Sequence, residues 1–293
     1  MAYNNLEILP EKERFHQALL RTYRTNPLIL LGTLTILLLI IVSIGAPWIA
    51  PNSPYEQHLD TRRLAPFTLS QFPLGTDELG RCLLSRVIYG GRVSLSVGLL
   101  TSLLSAVIGI PMGMLAGYST RALSELLGRV IDIVLATPEI LLALALATIL
   151  GRSLLIVMIS VSLVWWANYS RVVRGQVLQV RESDYVVAAR TIGASDNRII
   201  WRHIFPNTIS QVLVMLSLNM AAAILIEAGL SYLGLGTQPP TPSWGAMLSI
   251  GRNYLQTAPW LATIPGIAIM ATVLGFNLLG DGLRDVLDPR MRK

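Results

Sequence analysis

Lysine is almost missing from this chain. Lys12 and Lys293 are the only two in 293 residues. Neither lies in a Gly-x-x-x-x-Gly-Lys-Ser/Thr setting, so the chain carries no phosphate-cradling P-loop. Charge of any kind is scarce, at 14% of residues, against about 25% in an ordinary soluble domain. The three histidines, His16, His58 and His203, stand far apart, and no His-Glu-x-x-His or Gly-x-Ser-x-Gly pattern occurs. Zinc-peptidase and serine-hydrolase chemistry therefore have no residues to use, and the chain reads as a non-enzyme. Its single cysteine, Cys82, cannot form a bridge within the chain.

What is present is apolar. Hydrophobic residues make up 53% of the chain, and the mean hydropathy is +0.57. The net charge of +6 comes almost wholly from arginine. Those arginines lie between apolar runs rather than along one stripe, which argues against nucleic-acid binding.

A helix needs about 20 mostly apolar residues to cross a bilayer. Charge-poor intervals of that kind cover residues 27–46, 93–118, 128–150, 154–170, 208–229 and 260–280. Backbone groups in lipid must be bonded internally, so these six runs are expected to be helices. The leader before the first is too long and too acidic for a signal peptide. Gly45-Ala46-Pro47 is also a poor cleavage context, so the first run is read as an uncleaved span.

Six crossings put both termini on one side. Placing that side in the cytoplasm collects 16 of the 23 lysines and arginines there, as the positive-inside rule requires. The resulting division is a cytoplasmic segment 1–26, a first span 27–46, an outer (periplasmic) loop 47–91, a membrane core 92–283 and a cytoplasmic tail 284–293. Within the outer loop, residues 79–89 have helical apolar spacing and are expected to form a short amphipathic surface helix. The core includes a long cytoplasmic loop, 175–207. The prolines at 239, 240 and 242 make the second outer loop extended or turned.

The cytoplasmic loop has local helix signals. Asp184 to Thr191 is helix-compatible, Gly193 is a natural terminator, and Ser195 is placed to cap a following helix. By itself this describes two short surface helices resting on lipid head groups.

Ala188-Ala189, then Gly193, then His203-Ile204-Phe205-Pro206-Asn207 resemble the "EAA" loop of binding-protein-dependent ABC importer permeases. Val187 stands where that loop's consensus has glutamate. Three further stretches resemble the dipeptide, oligopeptide and nickel permease group. They are Gly75-Thr76-Asp77-Glu78-Leu79-Gly80-Arg81 with Leu84-Ser85-Arg86; Leu230-Ser231-Tyr232-Leu233-Gly234-Leu235-Gly236 with Pro242-Ser243-Trp244-Gly245; and Asn277 to Asp285 with Leu287-Asp288-Pro289. Cys82 replaces that group's usual aspartate.

The resemblance implies an all-α integral membrane protein of the type I ABC importer permease kind, N-in and C-in, in a bacterial inner membrane. It implies a second homologous permease, two ABC ATPase subunits that hold ATP and Mg, and a periplasmic or lipid-anchored binding protein. No cofactor is expected in this chain. The resemblance further implies that Ala188, Ala189, Arg190, Gly193, Ala194, Ser195, Arg198, His203 and Pro206 belong to a coupling segment. There the small residues allow close backbone approach to an ATPase, while Arg190 and Arg198 make polar contacts at the rim. The substrate it favours is a di- or oligopeptide, with nickel or another metal chelate as the alternative.

Two acids lie within the spans. Carboxylates cost roughly 2.5–3.5 kcal/mol at a helix centre. At about 1.5 Å per residue, Glu139 is about 15 Å beyond Arg129, while Glu227 is about 29 Å beyond Thr208 and near the outer interface. Glu139 reads either as a pathway or gating residue or as a local cap, since Thr137-Pro138-Glu139 looks like a helix start. Glu227 reads either as outer-gate packing or as a structural hydrogen bond. An ion-coupled secondary transporter using one of these acids would leave the long cytoplasmic loop without a required sequence. A non-transporting scaffold is the remaining alternative.

Overall fold

The computed structural model describes residues 26–287, Arg152 excepted. The N-terminal segment expected over residues 1–26, Asn26 apart, and the tail from residue 288 lie outside the described residues. Among the described residues there is no β-strand, only an isolated antiparallel bridge between Thr76 and Cys82.

The first helix, α1 (Pro27–Ile44), starts on a proline whose fixed φ suits a helix's first turn. Most of its surface is exposed apolar side chain, and it touches the bundle along one edge. That edge packs antiparallel on the last helix, α10 (Trp260–Leu287). Ile29 meets Gly282 and Ile36 meets Gly275, so Asn26 and Leu287 lie on the same side.

After an irregular outer segment comes α2 (Leu83–Tyr118), 36 residues long. The separate amphipathic helix expected at 79–89 does not exist; its residues from Leu83 onward are the first turns of α2. Gly90-Gly91 do not break the helix because they are contact surfaces. Gly90 faces the Trp244 indole, and a methyl group on Gly91 would collide with the Ser43 hydroxyl.

α5 (Leu154–Arg181) runs parallel to α2 along a glycine stripe. Gly109, Gly113 and Gly117, four apart, meet Tyr169, Ser170 and Val177 in step. A methyl group on Gly113 would sit 2.6 Å from the Ser170 carbonyl oxygen. Lipid tails supply no hydrophobic drive between helices, so close approach over small residues is a main source of attraction.

Both α2 and α5 run inward, so the chain must return outward between them. It does so through α3 (Arg121–Ala136) and α4 (Glu139–Leu150), which are bent by 88° relative to each other. The expected third span is therefore this bent pair. Pro138 has no N–H, and it holds Thr137 extended at φ −90°, ψ 134°. Among the described residues five helices are long and apolar enough to cross a membrane, and this pair, taken as one broken span, brings the number to six.

α5 continues helically to Arg181, so the segment 175–207 is a loop only from Glu182 onward. It is followed by α6 (Asp184–Thr191), the single turn α7 (Asp196–Ile199) and a π-helical turn over Ile200–Ile204. That turn leads into α8 (Phe205–Tyr232). On the outer side α9 (Trp244–Gly251) precedes α10, which extends into the residues expected to begin the tail.

Candidate functional site: a cytoplasmic hairpin and an outer cap

The cytoplasmic hairpin of α6 and α7 is seated on the bundle by Val186, Ile199 and Ile204. All three are fully buried and pack with Val177, Val180 and Met114. Its stop signal is fully formed. Gly193 has φ +85°, its N–H donates to Arg190 O, and the Ala194 N–H donates to Ala189 O at 3.0 Å. This double closure satisfies the last helix carbonyls and needs a left-handed residue at Gly193. Ser195 is the N-cap of α7 through its backbone conformation, without a side-chain bond.

The same hairpin has an open face. Tyr185, Val187, Ile192 and Trp201 are exposed, Ile192 by 86%. Lipid-facing helices expose such side chains routinely, but α6 and the turn after it lie between the candidate spans Leu154–Arg181 and Asp196–Tyr232, where an exposed apolar patch marks a contact surface. Ala188, Arg198 and Pro206 are also exposed. Open space surrounds Gly193.

The sequence-derived residues divide accordingly. Ala189 faces inward, and Ala194 and His203 are half-buried. Arg190 is exposed but turns back onto the bundle. Its Nη2 donates to the Tyr118 hydroxyl at 3.3 Å, and that hydroxyl donates to Asp196 Oδ1 at 2.6 Å. On the other arm Asn207 Nδ2 donates to His203 O at 2.6 Å and to the Tyr185 hydroxyl at 3.3 Å. Tyr118, Tyr185 and Asp196 were absent from the sequence-level set. Tyr185 and Asp196 lie inside the loop, whereas Tyr118 ends α2, where no local signal ties it to the motif.

On the outer face, two motifs far apart in sequence meet. Asp77 accepts from the backbone N–H of Leu79 and Arg81 at 2.9 Å each, from Arg81 Nε at 2.6 Å and from Arg86 Nε at 3.2 Å. Arg86 then donates to the carbonyls of Pro54 at 3.0 Å and Pro240 at 3.5 Å. Trp244 adds a second tie, its indole N–H donating to Val87 O at 2.9 Å. The two outer loops and the start of α2 thus form one cap. Glu78, ion-paired with Arg81 at 2.7 Å, has its carboxyl raised above the usual range by burial, aided by the neighbouring Asp77 charge.

Glu227 belongs to this cap. It is 1% exposed. Its Oε1 accepts from Ser231 at 2.7 Å, Ser243 at 3.1 Å and Thr237 at 3.5 Å. Its Oε2 takes no hydrogen bond and lies against Gly245. Glu139 is the opposite case. It is exposed at the start of α4, with Oε2 accepting the Trp165 indole N–H at 3.0 Å. The two acids are not brought together. Among the described residues no three His, Cys, Asp or Glu side chains converge as a metal site would require.

Six crossings, an outer cap and a clipped cytoplasmic hairpin define a polytopic membrane transport subunit. The fold matches that of a chain from the MetNI methionine ABC transporter in inward-facing conformations. The TM-score is 0.57 at 16% identity, covering 69% of this chain and 96% of that one. The family model "Binding-protein-dependent transport system inner membrane component" matches residues 109–293, and "N-terminal TM domain of oligopeptide transport permease C" matches residues 15–66. The chain belongs to the binding-protein-dependent transport system inner membrane component family, and it is an inner-membrane protein.

Its relatives include the di/tripeptide transport system permease protein DppC of Pseudomonas aeruginosa (strain UCBPP-PA14). That protein is 42% identical over 265 residues, or 89% of this chain and 88% of that one. The dipeptide transport system permease protein DppC of Alkalihalophilus pseudofirmus is 40% identical, over 97% of this chain and 91% of that one. The glutathione transport system permease protein GsiD of Escherichia coli O6:K15:H31 is 42% identical, over 93% and 89%.

Proposed function

We propose that this chain is the membrane permease subunit of an importer that carries di- or oligopeptides across the inner membrane. It works with a second homologous permease, two ABC ATPases that bind ATP and Mg, and a binding protein that delivers solute to the outer cap. In this reading the chain catalyses no covalent step and carries no cofactor. The observation that carries the coupling role is the hairpin's exposed Val187, Ile192 and Trp201 above a fully buried base of Val186, Ile199 and Ile204. That is a seated mount for a partner of complementary apolar shape, and Ala188, Gly193 and Arg198 are exposed on the same hairpin. The peptide assignment rests on relatives named for dipeptide, di/tripeptide and glutathione transport; glutathione is itself a tripeptide.

Nucleotide-driven closure of the ATPases would move the hairpin and its attached helices as a body. The test is reconstitution in vesicles with the co-encoded subunits. Dipeptide uptake should require ATP and every partner. Solute accumulation by this chain alone, driven by an ion gradient, would reject the reading in favour of a secondary transporter.

A further inference from the structure

The break between α3 and α4 gathers oxygen groups where a bilayer cannot solvate them. A continuing helix would pair the Leu135 and Ala136 carbonyls with N–H groups four residues on. The 88° bend after Thr137 removes those partners, and neither carbonyl takes a backbone N–H across the break. The Glu139 carboxylate begins α4 at the same point. The Trp165 indole holds its Oε2, while among the described residues Oε1 takes no hydrogen bond and no arginine pairs with it. Trp165 lies eleven residues into α5 from Leu154, about 17 Å below the outer end of that helix. The cluster is therefore deep within the span.

Irregular backbone and carboxylates survive at that depth only when they face protein or a water-filled cavity. The local field is also one-sided. The C-terminal end of α3 carries partial negative charge, and Glu139 offsets the positive N-terminal end of α4. What remains is a carboxylate oxygen and carbonyl acceptors that find no donor among the described residues. That set matches an ammonium group, which has N–H donors and no acceptor.

We propose that this break is a station in the translocation path that takes the protonated amino group of the solute. Glu139 is its counter-ion, the Leu135 and Ala136 carbonyls are further acceptors, and Trp165 is a positioning residue that aims the carboxylate. The proposal rests on the peptide-permease reading, because a peptide with a free amino end carries such a group.

The test uses the complete transporter, with its ATPases, second permease and binding protein, in vesicles taking up the dipeptide of two alanines. E139Q should lower turnover on the order of tenfold, the scale of one lost charge-assisted hydrogen bond, while E139D stays within about threefold. E139C in a C82S background should react with a water-soluble cationic thiosulfonate in the assembled transporter. Unchanged uptake by E139Q, or no reaction at E139C, overturns the station. Loss of subunit co-purification in E139Q also overturns it, since Glu139 would then be a contact between subunits. If the parent protein itself shows no ATP-driven dipeptide uptake, it is the permease reading that fails.

Discussion

Asp77 and Arg86 are joined by a 3.2 Å ion pair that ties the first outer loop to the opening turn of α2. Both side chains are about 95% buried, and Asp77 also neutralises Arg81. Removing one carboxylate would leave two buried guanidiniums with only Glu78 between them. D77A should cost about 3–5 kcal/mol, the usual result of orphaning a buried charge. It should be read as a lowered melting temperature of the purified protein in detergent. A D77A protein as stable as the parent would remove Asp77 from the role of cap organiser.

Glu78 gives the cap a pH dependence of known sign. Its carboxyl is raised by burial first and by the Asp77 charge second, so the folded chain holds the proton more tightly than the unfolded one. Stability therefore falls as pH rises from the ordinary carboxyl range through the raised value, and is flat beyond it. E78Q keeps a polar partner for Arg81 without the charge. It should melt above the parent at about pH 8, with the gap closing toward about pH 4. Equal melting curves at both pH values would show that Glu78 is solvated in the cap.

The hairpin stop separates backbone demand from surface demand. At φ +85° with open space around it, Gly193 can be replaced by asparagine, which tolerates the left-handed region. G193N should keep ATP-driven uptake within about twofold. G193E should abolish uptake while leaving membrane insertion intact, because it adds strain and a charge at the proposed docking face. Normal uptake by G193E would refute the coupling assignment.

The glycine stripe of α2 makes a steric prediction. A side chain at Gly113 meets the Ser170 carbonyl at 2.6 Å and Val173 Cβ at 2.8 Å. Neither neighbour is a flexible tip. G113L should cost at least about 1–3 kcal/mol of overpacking and broaden the protein's size-exclusion peak. G266L, at a position with only a distant Leu248 methyl nearby, is the control and should elute as the parent does.

Much of this architecture could be read from charge spacing. The charge-poor apolar intervals located all six crossings, two of them in spite of internal acids, and the Thr137-Pro138 step announced the bend. The ends were misjudged for one reason. Charge marks the depth of hydrocarbon, whereas a helix ends where its hydrogen bonds end, so α5 runs through Arg171 and Arg174 to Arg181. The outer loop was drawn to residue 91 because Arg92 precedes the next charge-poor interval, and nothing local reveals Trp244, more than a hundred residues on, packing against Gly90-Gly91. The same distance hid the meeting of Arg86 with Pro240. The stripe of glycines at 109, 113 and 117 was visible as a four-residue spacing and went unread.

α2 carries Arg86 at one end and Tyr118 at the other. Those residues are about 48 Å apart at the helical rise, with Pro111 the one interior weak point in the hydrogen-bond ladder. The outer cap and the cytoplasmic hairpin are thus joined through one unbroken helix. In the proposed coupling role, a tilt imposed at the hairpin would be carried to the outer cap along that helix.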